Sequence, residues 1–193
     1  NELPNAEIFT TEEVDNYLED FITAARVAYE VGADGIDFKM CHNYFPGIFL
    51  RPNNQREDHY GGNLNNRTRF LREFTTRAKK EVGDKDFLWT TRINAWDGTL
   101  PGGIGMAGPK SDENGRGWVR DTTEINKIYS LLHQLDYDMV NISAGIPFPS
   151  GITDINNTAP IFFNLYQELA LEAKKIFKNL KSDIKIGSTA WST

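Results

Sequence analysis

Apolar residues at the start of the chain recur at helical spacing. Behind Thr10-Thr11-Glu12-Glu13, whose order predicts a capping box, come Val14, Tyr17, Leu18, Phe21, Ala25 and Ala28, and Gly32 ends the run. Residues 34–40 change to period two, with Ile36 and Phe38 apolar, and predict a short strand. The polar stretch 41–66 reads as a loop. Phe70, Leu71, Phe74 and Ala78 then mark a second helix that stops at Gly83. The same order continues with a strand over 87–93, a helix over 122–135 carrying Ile125, Ile128, Tyr129 and Leu132, and a strand over 138–143. After a polar loop over 144–158, a helix is predicted over 161–180 and a last strand over 184–188.

Helix and strand thus alternate four times, which predicts an α/β protein with about four parallel strands and covering helices. An open doubly wound sheet and a piece of a closed (β/α)8 TIM barrel both fit that order. Length favours the second in partial form, because a whole barrel takes ~250 residues and this chain has 193. The long loops, 41–66 and 94–121, follow strands, and in both architectures that end carries the chemistry. Residues 1–193 read as a single partial barrel domain, and an opening Asn1 in place of methionine points to a longer parent chain.

Composition narrows the class of partner. Hydrophobic residues at 39% and charged residues at 25% describe an ordinary globular chain, and a net charge of -6 disfavours nucleic acid and anionic membranes. No apolar run approaches the ~18 residues of a membrane span. Cys41 is the single cysteine, so an internal disulfide is excluded and a reducing, cytoplasmic location is the default. The same count predicts no metal, since His59 and His133 lack companions at ligand spacing.

Gly103-Ile104-Gly105-Met106-Ala107-Gly108 matches the dinucleotide fingerprint in letters only. That motif works by following a strand and opening a helix whose amides receive a pyrophosphate, and neither flank here has the required period. A glycine-rich surface loop or lid is the reading it supports.

The chemistry concentrates after the first strand, in Lys39-Met40-Cys41-His42-Asn43-Tyr44 and in Asn54-Gln55-Arg56-Glu57-Asp58-His59-Tyr60-Gly61-Gly62-Asn63-Leu64-Asn65-Asn66-Arg67. These stretches resemble the Old Yellow Enzyme-like NADH:flavin oxidoreductases, in which a strand ends in a donor pair three residues apart and is followed by a Tyr-Gly-Gly-x-x-x-Asn-Arg segment. Phe21 to Phe38, Thr90 to Ile93, Asp138 to Gly145 and Ile184 to Ser192 resemble the same family in order, so the resemblance spans nearly the whole chain.

The resemblance implies an FMN-binding TIM barrel of which these strands are the fourth to seventh, with the other half absent from this sequence. It implies NADH or NADPH as reductant and an activated alkene or similar small molecule as acceptor. By analogy Lys39 and His42 supply the donor pair for an anionic oxygen, as an oxyanion hole does, and Tyr44 supplies a proton. Lys39 departs from the neutral donors of other members. Arg92 corresponds to the arginine facing the flavin pyrimidine, and Ser188, Thr189 and Ala190 to the main-chain phosphate site, where Ala190 replaces a common glycine. A rim arginine paired with a carboxylate such as Asp97 is the bland reading of Arg92. The Asn54–Arg67 segment is expected to be structural, with Arg56, Asp58 and Arg67 in ion pairs.

Two other functions compete. One is a non-catalytic truncated barrel that binds no flavin and has its open edges covered by a partner, by a second copy in a homo-oligomer, or by the missing barrel half. The other is a TIM-barrel glycosidase using Asp34, Asp37 and Asp97, with Trp96 as a sugar platform.

Overall fold

A computed structural model describes residues 8–83, 86–97, 103–105, 120–145 and 160–188, with the side chains of 160–164 excepted. The elements in chain order are α1 (Thr11–Glu30), β1 (Gly35–Met40), α2 (Phe45–Ile48), α3 (Leu64–Arg67), α4 (Arg69–Val82), β2 (Leu88–Trp96), α5 (Thr123–Gln134), β3 (Met139–Ala144), α6 (Pro160–Asn179) and β4 (Lys185–Ser188). The Thr10 hydroxyl accepts from the Glu13 amide at 3.2 Å, and the Glu13 carboxylate accepts from the Thr10 amide at 2.7 Å, completing the capping box at the head of α1. Two short helices, α2 and α3, stand where the sequence predicts only loop.

All four strands are parallel and lie in the order β1-β2-β3-β4. That order separates the two candidate architectures. A doubly wound sheet reverses direction at a switch point and gains helices on both faces, whereas sequential neighbours with crossovers of one hand place every helix on the same face. Burial agrees: Phe38, Met40, Trp89, Thr91, Ile93, Val140 and Ile142 point into the helix layer and are buried, while their alternates Asp37, Lys39, Thr90, Arg92, Met139 and Asn141 are not. The fold is a partial (β/α)8 barrel, and its second face is the one that lines a barrel interior.

The helix layer is held by aromatic packing. Phe38 of β1 stacks on Phe74 of α4 with centroids 3.9 Å apart, and Phe70 stacks on Phe49 at 5.1 Å. Phe21 of α1 meets Phe38, Phe70 and Phe74 edge-on. Burying each ring contributes roughly 1.5–3 kcal/mol, so this cluster alone fixes α1 and α4 on β1. β2 runs three residues past its expected end at Ile93. A register irregularity between Asn94 and Trp96 allows the extension and carries the strand to the rim.

The loop from 49 to 67 closes on itself around the Tyr-Gly-Gly segment. Tyr60 is buried and donates to Asp15 of α1 at 2.5 Å. Asn54 donates through Nδ2 to the carbonyls of Phe49 and Tyr60 at 3.0 and 2.8 Å. A Cβ on Gly61 would lie 2.5 Å from the Arg56 carbonyl oxygen, whereas Gly62 has open space but φ of 78°. Both glycines are therefore required, for different reasons. Gly62→Ala is expected to lose about 1 kcal/mol of stability through the left-handed backbone. Gly61→Ala should lose more, because main chain must move; urea midpoints of the two variants measure the order directly.

Candidate functional site

Register places the rim residues before any side-chain argument is needed. Lys39 of β1 pairs with Arg92 of β2, Arg92 with Asn141 of β3, and Asn141 with Gly187 of β4, a single row across the interior face. Neighbouring strands are ~4.8 Å apart, so Lys39 and Arg92 occupy adjacent positions on one face. Neither has a carboxylate partner among the described residues. Arg92 Nε, Asn94 Oδ1 and Asn141 Oδ1 are buried without a hydrogen-bond partner. Buried polar atoms are normally paired, and this set on one face lacks partners among the described residues.

Beyond Met40 the chain turns sharply. His42 and Asn43 have φ of 59° and 60°, a left-handed pair that costs a non-glycine residue about 1–2 kcal/mol each. The turn aims the His42 ring across the strand ends, where Nε2 lies 2.7 Å from the Ser143 hydroxyl at the end of β3. Burial, then the Lys39 and Arg92 charges, hold the His42 imidazole below its ordinary 6.5, with Asp97 opposing. It is a neutral ring at physiological pH. Burial likewise pushes the Cys41 thiol up to about 12, which disfavours the thiolate form. The Lys39 ammonium sits 3.4 Å from the centroid of the Tyr44 ring, a cation–π contact worth roughly 0.5–2 kcal/mol.

What fixes the turn is a buried ion pair that sequence reasoning missed. Arg51 Nε donates to Asp97 Oδ2 at 3.0 Å, with side chains only 11% and 3% exposed, and Arg51 Nη1 donates to Asn43 Oδ1 at 2.9 Å. Asp97 also accepts from the Ile104 amide at 2.9 Å and from Asn94 Nδ2 at 2.7 Å, and Asn94 Nδ2 reaches the Gly145 carbonyl at 2.8 Å. The loops after β1, β2 and β3 are tied together through one carboxylate.

Several expectations change here. Asp97 pairs with Arg51, not with Arg92 as the alternative reading of Arg92 expected. Arg56 does pair with Asp58 at 2.5 Å, but Arg67 is buried elsewhere, donating to the Gly62 and Leu50 carbonyls and to Glu124 of α5. The three carboxylates of the glycosidase reading do not converge. Asp34 lies at the opening of β1, where its carbonyl accepts from Leu88, Asp37 accepts from the Thr90 hydroxyl, and Asp97 is committed to Arg51. Ile104-Gly105 folds back on β2, with the Ile104 carbonyl accepting from the Asp97 amide. Ser188 ends β4 opposite Ile142; Thr189 and Ala190 lie outside the described residues, as does Met106-Ala107-Gly108.

The described residues form a parallel partial TIM barrel whose inner face carries Lys39, Arg92 and Asn141 in one row. The sequence profile of the NADH:flavin oxidoreductase / NADH oxidase family matches residues 2–138, and the chain belongs to that family. An NADPH dehydrogenase of Clostridium acetobutylicum is 30% identical over 171 residues, 88% of this chain and 42% of the relative. An NADPH dehydrogenase of Bacillus velezensis is 43% identical over 94 residues, 48% of this chain and 27% of the relative. Among solved structures, a 2-naphthoyl-CoA reductase in complex with 2-naphthoyl-CoA superposes with a TM-score of 0.69 at 27% identity, covering 93% of this chain and 24% of that one. The chain spans less than half the length of these relatives.

Two measurements test the rim. Asp97→Asn leaves the Arg51 charge buried beside a neutral amide and should lose about 3–5 kcal/mol in chemical denaturation. The His42 imidazole should titrate below 6.5 by NMR and move upward in Lys39→Met. Because the unfolded state binds this proton more readily, stability rises with pH between the native His42 value and 6.5 and is flat above; acidification through that window should lower it.

Proposed function

We propose that this chain is the central-to-late part of an FMN-dependent NAD(P)H oxidoreductase of ene-reductase type, one partial barrel domain whose remaining strands lie in a longer protein. The observation that carries this is the unpaired polar set on the inner row. The pyrimidine end of a flavin offers carbonyl acceptors and a ring N–H donor, which are complementary to the Arg92 donor and to the Asn94 and Asn141 acceptors left without partners. Arg92 would hold the flavin there and stabilise negative charge on it. The main-chain amides of Ser188, Thr189 and Ala190 would hold its phosphate. When bound, FMN supplies a hydride for the β-carbon of an activated alkene, having received one from NADH or NADPH.

The remaining steps belong to the side chains. His42 Nε2 meets the Ser143 hydroxyl at 2.7 Å, and in the tautomer in which Nε2 accepts, the Nδ1–H is the donor toward a substrate oxygen. Lys39 is the second donor, and together they stabilise the oxygen as it gains charge. Tyr44 is half-exposed beside Lys39, where its hydroxyl can deliver a proton to the other alkene carbon.

The full-length protein should purify yellow and bleach on addition of NADH or NADPH. Arg92→Met should weaken FMN binding roughly tenfold, about 1.4 kcal/mol. The 193-residue chain alone should bind FMN weakly, having only part of a barrel. A colourless full-length protein that takes up no FMN, with the fold intact by circular dichroism, would support the flavin-free module instead.

A further inference from the structure

His42 hydrogen-bonds to a strand that is not its neighbour. The strands lie in the order β1-β2-β3, and His42 follows β1 by two residues, yet its Nε2 lies 2.7 Å from the Ser143 hydroxyl near the end of β3. With ~4.8 Å between adjacent strands, the ring reaches across the end of β2 to make that bond. Ser143 pairs in register with Asn94 and alternates with Asn141 along β3, and it is 1% exposed. The bond is not needed to hold the strands together, since β2 is already paired to both β1 and β3. It is reached through a turn in which His42 and Asn43 both take left-handed backbone, against the preference of residues other than glycine. Arg51 secures that turn through the Asn43 side chain, and Ser143 is the described residue that holds the ring itself. His42 Nδ1 has no hydrogen-bond partner among the described residues.

An imidazole anchored only through its backbone can flip and can carry its proton on either nitrogen, so it turns a donor or a lone pair toward its neighbour. Only the donor stabilises an oxygen that gains negative charge; a lone pair repels it. We infer that Ser143 is a positioning residue whose hydroxyl donates to His42 Nε2, fixes the orientation of the ring and leaves the proton on Nδ1 for the substrate oxygen. This rests on the flavin reading above, which makes His42 a donor. Ser143 acts through His42 and takes no part of its own in proton or hydride transfer.

The test uses the full-length protein, with cyclohexenone as a neutral activated alkene. His42→Gly removes the ring and accepts the left-handed backbone, so it assigns the His42 signals in nitrogen NMR by their loss. The unmodified protein should show the tautomer protonated on Nδ1, and Ser143→Ala should show a mixture of the two. Ser143→Ala should lower kcat/KM about tenfold with FMN content unchanged. Made in His42→Gly, the same substitution should change kcat/KM by less than about twofold, because a residue that acts through another adds nothing once the other is gone. Ser143→Cys keeps the shape but hydrogen-bonds weakly; it should behave as the alanine variant does and carries the comparison if that variant does not fold. A proton on Nε2 in the unmodified protein overturns the inference, as does an equal loss of kcat/KM with and without the His42 ring. Loss of FMN from Ser143→Ala also overturns it, by making Ser143 a flavin contact. A colourless full-length protein sinks the flavin reading separately, and the nitrogen signals of His42 then still decide whether Ser143 sets its tautomer.

Discussion

The Arg51–Asp97 pair is the constraint on which the inner rim depends. In a parallel barrel the strands position only their own residues, and whatever follows each strand must be fixed by something else. Here Arg51 comes from the loop after β1, Asp97 from the end of β2, and Asn94 carries the connection to Gly145 beyond β3. A nearly dry ion pair is a weak source of net stability, because desolvation offsets most of the Coulomb gain. Its value lies in direction: a carboxylate accepting from a guanidinium, an amide side chain and a main-chain N–H has one satisfactory geometry. Arg51 then reaches Asn43, and a turn with two consecutive left-handed residues is held where its own preferences would not leave it.

The same logic divides the long first loop into two parts with different duties. Asn54 to Arg67, the segment with the most distinctive letters, does structural work. Tyr60 plugs against α1, the glycines satisfy a close approach and a left-handed backbone, and Arg67 reaches past two carbonyls to Glu124 on α5. The segment nearer the strand carries His42 and Tyr44, which are proposed to act on substrate. A motif can therefore identify a family with high specificity while contributing no atom to the chemistry, because backbone geometry tolerates fewer substitutes than a surface does.

The order of elements was legible in the sequence because every strand and long helix has a clean period, whereas strict alternation predicted parallel strands without fixing their order in the sheet. The short helices α2 and α3 were not, since four residues are too few to display one. β2 was underestimated because Asn94 ends its apolar run at Ile93, although the strand continues through an irregularity. Asn94, Asn141 and Ser143 escaped notice as site residues for a related reason. Each is a polar residue at an alternate position of a strand, and only knowing that the alternate face lines an interior distinguishes such residues from solvated ones. Arg51 gave no signal, because its partner is distant in sequence and the pairing depends on three loops meeting.

The one-sided sheet bears on whether a flavin-free module is a physically sensible alternative. A sheet kept only for packing would gain by filling its inner face with Val, Ile and Leu, as the strands of a solid barrel do, or by solvating it fully. This inner face does neither. Its row holds Lys39, Arg92 and Asn141, with a glycine at the fourth place where any Cβ would press on Met139. Burying Arg92 Nε and the Asn94 and Asn141 oxygens without partners costs free energy in the isolated fold, on the order of 1–3 kcal/mol for each group. A cost of that kind, concentrated on the inner face of the two adjacent strands β2 and β3, is offset when polar groups beyond the described residues supply the missing hydrogen bonds, and packing partners made of apolar side chains cannot supply them.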